Sequence, residues 1–295
     1  MNFRDLAQSL VALFVFASAY ALIRIALMEL PPLTVGALRF VLASSLMVPL
    51  VLIHYRGSGS RLTLSDLAIL VGLSISQIFM PNLLQNIGLE YTTASVSSVL
   101  QSTTPVFTLL LSFALLRESV GWREVLGVTV GMIGVVLLST GGNLTNLAGS
   151  ALLGNLLQVG VAGSYAVSGI VGKVLLKKYA PMLVVTLTFV IGGSFLTGLA
   201  MAFERSQWPA SLSTHAILAI LLLSFLYCLG LVCWYDVLQR TGVFRLYVLL
   251  FTMPILAVLI SVIVLNETFT LLDIIFSAII MVGVALTQLQ QTART

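Results

Sequence analysis

Apolar runs of roughly 18 to 25 residues follow one another along almost the whole chain, and no other feature of the sequence constrains its fold as strongly. A bilayer core about 30 Å thick takes about 20 residues of helix to cross. Inside it every backbone N–H and C=O must be satisfied by protein, which a helix does within its own segment. Barrel strands would instead alternate apolar and polar residues over about ten positions. Composition closes the soluble alternatives, because 59% of the residues are hydrophobic and only 8% are charged, against roughly 25% charged in an ordinary soluble domain. The expected fold is an all-α polytopic membrane protein.

Ten apolar segments can be marked, over about 5–28, 33–54, 66–89, 93–116, 122–141, 151–175, 182–203, 213–237, 243–265 and 270–289. The first is too long for a signal-peptide core and reads as an uncleaved transmembrane helix. Breakers mark several connections, among them Pro31-Pro32, Pro181 and Trp208-Pro209. The net charge of +4 comes without any basic run that could track a phosphate backbone, so no nucleic-acid partner is expected. With the amino terminus in the cytoplasm, Arg4, Arg56, Arg61, Arg117, Arg123, Lys173, Lys177, Lys178, Arg240, Arg245 and Arg294 all fall at inner ends or loops, and only Arg205 lies in an outer loop. The positive-inside rule then puts both termini in the cytoplasm of a cell (inner) membrane. Cys228 and Cys233 share one apolar run and read as small packing residues.

Sliding the sequence against itself gives a match at an offset of 149 residues. Thr103, Pro105, Ser112, Leu116 and Glu118 meet Thr252, Pro254, Ser261, Leu265 and Glu267, and Gly134 meets Gly283. Matched Pro and Glu are informative in a chain with 8 Pro and 10 acidic residues. The expectation is ten transmembrane helices as two five-helix repeats, residues 1–145 and 146–295. An odd number of spans per unit inverts the second unit, the arrangement of many secondary transporters, which bind solute near midplane between the halves. Pro105 and Pro254 would bend matched helices and serve as paired hinges.

Pro31-Pro32-Leu33-Thr34 followed by Ala37-Leu38-Arg39-Phe40 resembles the opening of the second helix in the EamA family of the drug/metabolite transporter superfamily. Gly88-Leu89-Glu90-Tyr91-Thr92-Thr93-Ala94-Ser95-Val96 is similar to that family's link between helices 3 and 4, and Thr104-Pro105-Val106-Phe107 with Leu116-Arg117-Glu118 to its fourth helix and following turn. Met253-Pro254 and Asn266-Glu267-Thr268 are weaker counterparts in the second half. The resemblance implies two inverted five-helix repeats around a central cavity. It also implies export or exchange of small metabolites, amino acids being a common class, closest in kind to exporters of the YddG type.

Polar groups within spans must face protein or water. Gln77, Asn82 and Gln85 crowd helix 3 beside Pro81, and Ser97, Gln101, Thr104 and Thr108 form a stripe on helix 4. Interhelical hydrogen bonding is the alternative use of such residues. Tyr20, Tyr165, Tyr227 and Trp234 lie inside spans and offer faces for planar or apolar solute groups, with hydroxyls for a carboxylate or amine. Tyr91, Tyr179 and Trp122 read as an interfacial belt. Arg24 and Arg39 can each bind an anionic solute group or pair with Glu29 or Glu90 near the outer face, and structural pairing and snorkelling are the leading reading for Arg39. Glu118 and Glu267 are expected to cap the helices that follow them, and Asp236 to pair with Arg240. The candidate substrate-binding set is therefore Tyr20, Arg24, Gln77, Asn82, Gln85, Gln101, Tyr165, Tyr227 and Trp234.

An intramembrane enzyme would need a cluster of catalytic groups, and the two histidines, His54 and His215, lie in different halves. A channel would need a charged ring or a filter-like loop. No metal or other cofactor is expected. The reading is a monomeric secondary transporter exporting a small molecule, such as an aromatic or other neutral amino acid, by alternating access. Other metabolites or drug-like amines are the alternative cargo, and a channel or scramblase the alternative mode.

Overall fold

The computed structural model describes residues 3–54, 62–104, 106–108, 110–111, 122–142, 150–241, 246, 249–250 and 253–292. These are helices and short connections, with no strand among the described residues. In chain order the helices are α1 (Phe3–Leu27), α2 (Pro32–His54), α3 (Leu64–Tyr91), α4 (Ala94–Gln101), α5 (Trp122–Thr140), α6 (Ser150–Leu176), α7 (Pro181–Phe203), α8 (Thr214–Arg240), α9 (Met253–Leu265) and α10 (Leu271–Thr292). Among the described residues six helical stretches are long and apolar enough to cross a bilayer, lying in α1, α2, α3, α6, α7 and α8. The apolar parts of α5, α9 and α10 are shorter as described, and α4 is eight residues long and ends in a turn at Ser102 and Thr103. A multi-pass membrane protein is the only economical reading of such a surface. Ile53, Leu271 and Ile263 are each more than two-thirds exposed, which water would penalise and lipid does not.

Local sequence explains where the helices begin. Thr63 and Asp66 form a reciprocal capping box at the start of α3, Thr93 caps α4, and Ser213 caps α8. Three helix starts are also held by carboxylates from distant segments. Glu204, after α7, accepts from the Leu33 and Thr34 N–H groups at 2.8 and 2.7 Å. Glu29, after α1, accepts from the Ser213 N–H at 2.8 Å. Glu267, after α9, accepts from the Ala94 and Ser95 N–H groups at 2.9 and 3.0 Å. The expectation that Glu267 caps the next helix is therefore corrected. The start of α10 is already satisfied by Thr270 and Asp273, and Asn266, in the left-handed region at φ 52°, ends α9 just before Glu267. Glu118 lies outside the described residues.

The helices pair closely as α1 with α8, α3 with α6, α2 with α7, and α5 with α10, while α9 leans on α1 and α4. Contact between α5 and α10 is backbone to backbone: a Cβ on Gly283 would lie 2.3 Å from the Gly131 nitrogen. The main core runs between α1, α2, α7 and α8, with Tyr20, Phe40, Phe189 and Tyr235 buried in it. At one end Arg240 bridges Asp5 at 3.0 Å and Asp236 at 2.9 Å, the second being the expected pair, and Lys178 meets Asp66 at 2.8 Å. Tyr91 and Trp122 are exposed as belt residues would be, but Tyr179 is buried because its hydroxyl donates to Asp66 at 2.8 Å.

Candidate functional site

The close helix pairs leave a gap between them in the middle of the molecule. It holds about 670 Å³ of empty space, its open mouth included. Its polar wall is Tyr20 of α1, Arg39 of α2, Gln77 and Gln85 of α3, Gln101 of α4 with Thr104 just beyond, Tyr165 of α6, and Tyr227 and Trp234 of α8. Phe16, Ala19, Leu231, Leu250 and Met253 complete it. Every charged lining residue among those described is a cation, and there is one, Arg39.

Helix α3 reaches this wall through a change of helical type. Ile75–Phe79 is a π turn, with the Met80 N–H bonded to the Ile75 carbonyl. Pro81 lacks the N–H that the Gln77 carbonyl would accept in a regular helix, so the wider turn costs little there. On an unbroken helix Gln77 and Gln85 would stand about 80° apart. A π turn advances less per residue, shrinks that offset, and lets both reach the cavity. Such turns recur at functional sites.

Hydrogen bonds fix the amides. The Tyr20 hydroxyl donates to Gln101 Oε1 at 2.8 Å. The Gln101 amide donates to Gln158 Oε1 at 2.7 Å, and Gln158 donates on to the Gln85 carbonyl at 3.1 Å. Ser168 donates to Gln77 Oε1. Tyr165 and Tyr227 are joined by a side-chain hydrogen bond. Gln158, absent from the expected site, thus braces α6 against α3 and α4 behind the wall.

Tyr227 is the aromatic hub. It stacks on Phe189 at 5.9 Å between ring centroids and meets Phe16 and Phe40 each at 5.8 Å. Phe16 also meets Trp234 edge-on at 5.7 Å. Over the Tyr227 ring lies the Arg39 guanidinium, 3.8 Å from its centroid.

Arg39 departs from expectation most. Snorkelling or ion pairing is the leading expectation for it and anion binding the alternative; the side chain is only 2% exposed and makes none of the ion pairs among the described residues. Its Nη1 donates to Asn82 Oδ1 at 3.2 Å, and its Nε has no hydrogen-bond partner. Burying an ion costs several kcal/mol after relaxation. Cation–π contacts with Tyr227 and with the Phe40 ring, 5.2 Å from its centroid, each return about 0.5–2 kcal/mol, and one long hydrogen bond returns about 1 kcal/mol. No anion among the described residues neutralises the charge, and Nε is left without a partner.

Of the sequence-derived set, Tyr20, Gln77, Gln85, Gln101, Tyr165, Tyr227 and Trp234 line the cavity. Asn82 stands behind it, donating to the Ile78 carbonyl at 2.7 Å and accepting from Arg39. Arg24 turns to the end of α3, where it donates to the Leu89 carbonyl. Phe16 and Leu231 were legible in principle, since each shares a helix face with a residue already in the set, Tyr20 and Trp234 or Tyr227. Leu250 and Met253 carry no such signal. Pro105 lies outside the described residues, and Pro254 is the second residue of α9. No group of His, Cys, Asp and Glu that could hold a metal occurs among the described residues.

Comparison with known proteins follows the same lines. The profile of the EamA-like transporter family matches residues 6–140 and again residues 152–289. An uncharacterized transporter of Archaeoglobus fulgidus is 27% identical over 266 residues, covering 90% of this chain and 92% of its own. A second from that organism is 26% identical over 292 residues, covering 99% of each chain. A solved crystal structure at 18% identity superposes with a TM-score of 0.70 over 100% of this chain and 99% of that one, a likeness of fold.

Proposed function

Because the chain belongs to the EamA-like transporter family, we propose that it carries a small metabolite across the membrane by opening the central cavity to one side and then the other. The observation that carries this is the cavity itself: an internal space with polar and aromatic walls, inside a protein whose outer surface is made for lipid. Residues from α1 to α4 and from α6, α8 and α9 all contribute to it, whereas α5 and α10 pack on each other away from it. Moving one group of helices against the other would change access without unfolding either.

In this reading the chain is ten spans in two inverted halves, 1–145 and 146–295. Support comes from the pairings. Exchanging each helix of the first half with its counterpart in the second turns the α1–α8 pair into α6–α3, and returns α2–α7 and α5–α10 to themselves. The same exchange at the offset of 149 turns the Gly131–Gly283 contact into the Ile280–Gly134 contact, and both are made. The termini are proposed to be cytoplasmic, in the inner membrane, with the monomer as the working unit. Amino-acid export is the proposed activity. The tyrosines, glutamines and Trp234 offer neutral hydrogen bonds and ring faces rather than a cage for one rigid ligand.

The test is flux into liposomes holding the purified protein. A carrier saturates and shows counterflow of labelled amino acid against unlabelled. Flux that stays linear with concentration and shows no counterflow would make the protein a channel. Saturable flux of sugars or nucleosides in place of amino acids would keep the carrier and replace its cargo.

A further inference from the structure

We infer that Arg39 is the seat of a carboxylate, and that the solute this cavity accepts carries a single negative charge at that end and an apolar or aromatic body beyond it. The inference rests on the transporter reading and narrows its cargo.

Four observations converge. Arg39 is almost wholly buried and is the one charged side chain among the lining residues described. Its described charged and titratable neighbours are Tyr227, Tyr165 and Cys228, and none of them is a carboxylate. Its Nε is without a partner. Its other nitrogen contact is the amide of Asn82, a neutral acceptor. A guanidinium presents donors in a planar fork that matches a carboxylate, and a low-dielectric pocket strengthens that match.

Charge balance sets the class. One carboxylate against one guanidinium makes the loaded cavity neutral. A phosphate monoester would leave surplus negative charge among tyrosines and glutamines, and an amine would bring a second cation into the pocket; both are penalised by burial. The apolar part of the same wall includes Phe16, Trp234, Leu231, Leu250 and Met253, which suits a ring or branched chain. An α-ammonium group, if the solute has one, has no carboxylate to meet among the described lining residues and would rely on ring faces and glutamine oxygens.

The experiment uses the full-length protein in nanodiscs and reads ligand affinity by tryptophan fluorescence and by thermal shift. The probes share bodies and differ in head group: phenylacetate, phenylalanine, phenethylamine and 2-phenylethanol, with the matching isobutyl series. Wild-type protein should bind the carboxylates best and the amines worst. Arg39→Gln should weaken carboxylate binding by at least roughly tenfold and leave 2-phenylethanol unchanged, with Arg39→Lys between the two. Amine or alcohol binding as strong as carboxylate binding, no binding by any carboxylate, or unchanged carboxylate affinity in a folded Arg39→Gln protein would each overturn the inference. If Arg39→Gln does not fold, the wild-type series and Arg39→Lys decide. Carboxylate binding that depends on Arg39 but is never accompanied by counterflow would keep the seat and sink the transporter reading. Counterflow indifferent to Arg39 would do the reverse.

Discussion

At the scale of single residues, the polar groups that matter most here are those that close an account left open by the backbone. Glu204 is 7% exposed and accepts from two N–H groups and the Thr34 hydroxyl. Its removal strands buried donors at the start of α2, so Glu204→Ala should destabilise by roughly 2–3 kcal/mol, and Glu204→Gln by about 1 kcal/mol through loss of charge at a helix N-terminus. Thermal melts in detergent check both, and equal melting of all three proteins would refute the role. Glu29 does similar work in the open. The Ser213 hydroxyl, and then the Ser213 N–H, hold its carboxyl below the ordinary value of 4.5. A lowered folded value means that the contribution is present above that ordinary value and fades as pH falls through the lowered one. Wild type should therefore melt above Glu29→Gln at neutral pH, and the two should converge as the pH falls below the ordinary carboxylate range. A gap that persists unchanged in acid would show that the carboxylate charge is not what stabilises the contact. Residue types in spans were enough to nominate Tyr20, Gln101, Tyr227 and Trp234, because a polar or ringed side chain in lipid must find protein or water. They were not enough for Arg39. A cation near a helix end has two outlets, the interface and the interior, and which one wins depends on whether a ring from another helix stands over it. Here that ring is Tyr227, 188 positions along the chain from Arg39.

At the scale of elements, length and hydropathy fixed the helices well, and the details that were missed are departures from regular geometry. The apolar run over about 66–89 became α3, Leu64–Tyr91, but the π turn inside it has no hydropathy signature. Pro81 was the visible clue, and it says only that a carbonyl is freed, not how the helix accommodates it. The mutual approach of α5 and α10 is a matter of glycine. Gly127, Gly131 and Gly134 share one face of α5, the spacing of a close-packing stripe, yet which of them meets the partner backbone depends on the crossing. A methyl group on Gly283 would fall within 2.7 Å of the Gly131 Cα and nitrogen and of the Gly127 carbonyl, distances no rotamer can relieve. Gly283→Ala is expected to cost about 1–3 kcal/mol. Gly72, in α3, meets nothing within 4 Å, and Gly72→Ala should be neutral or stabilising by roughly 0.5–1 kcal/mol through lost chain entropy. Comparing the two melting shifts separates steric cost from a general effect of changing helical glycines. If both substitutions shift melting alike, the backbone contact between α5 and α10 is not tight in solution.

At the scale of the whole molecule, the polar ties sort by end, and that sorting bears on how the chain sits in the membrane. One end collects Arg4, Asp5, Asp236 and Arg240, and the contact of Lys178 and Tyr179 with Asp66. The other collects carboxylates that hold helix starts: Glu29 at Ser213, Glu204 at Leu33 and Thr34, and Glu267 at Ala94 and Ser95. Apart from the Asp236–Arg240 pair within α8, each tie joins a segment before residue 146 to one after it, so the proposed halves are fastened at both ends around the cavity, and alternating access requires ties at one end to loosen while those at the other hold. The basic end should be cytoplasmic by the positive-inside rule. The inverted arrangement makes a sharper demand, since α6 must then descend to the cytoplasm as α7 rises from it. With Cys228 and Cys233 replaced by Ala, a cysteine at exposed Lys177, between α6 and α7, should react with a membrane-impermeant maleimide only after permeabilisation. A cysteine at exposed Ala210, between α7 and α8, should react in intact cells. The opposite pattern would reverse the orientation while leaving the halves inverted. Labelling of both positions from the same side would break the odd-span count on which the inversion depends, and with it the means by which two copies of one unit could open a single cavity first to one side and then to the other.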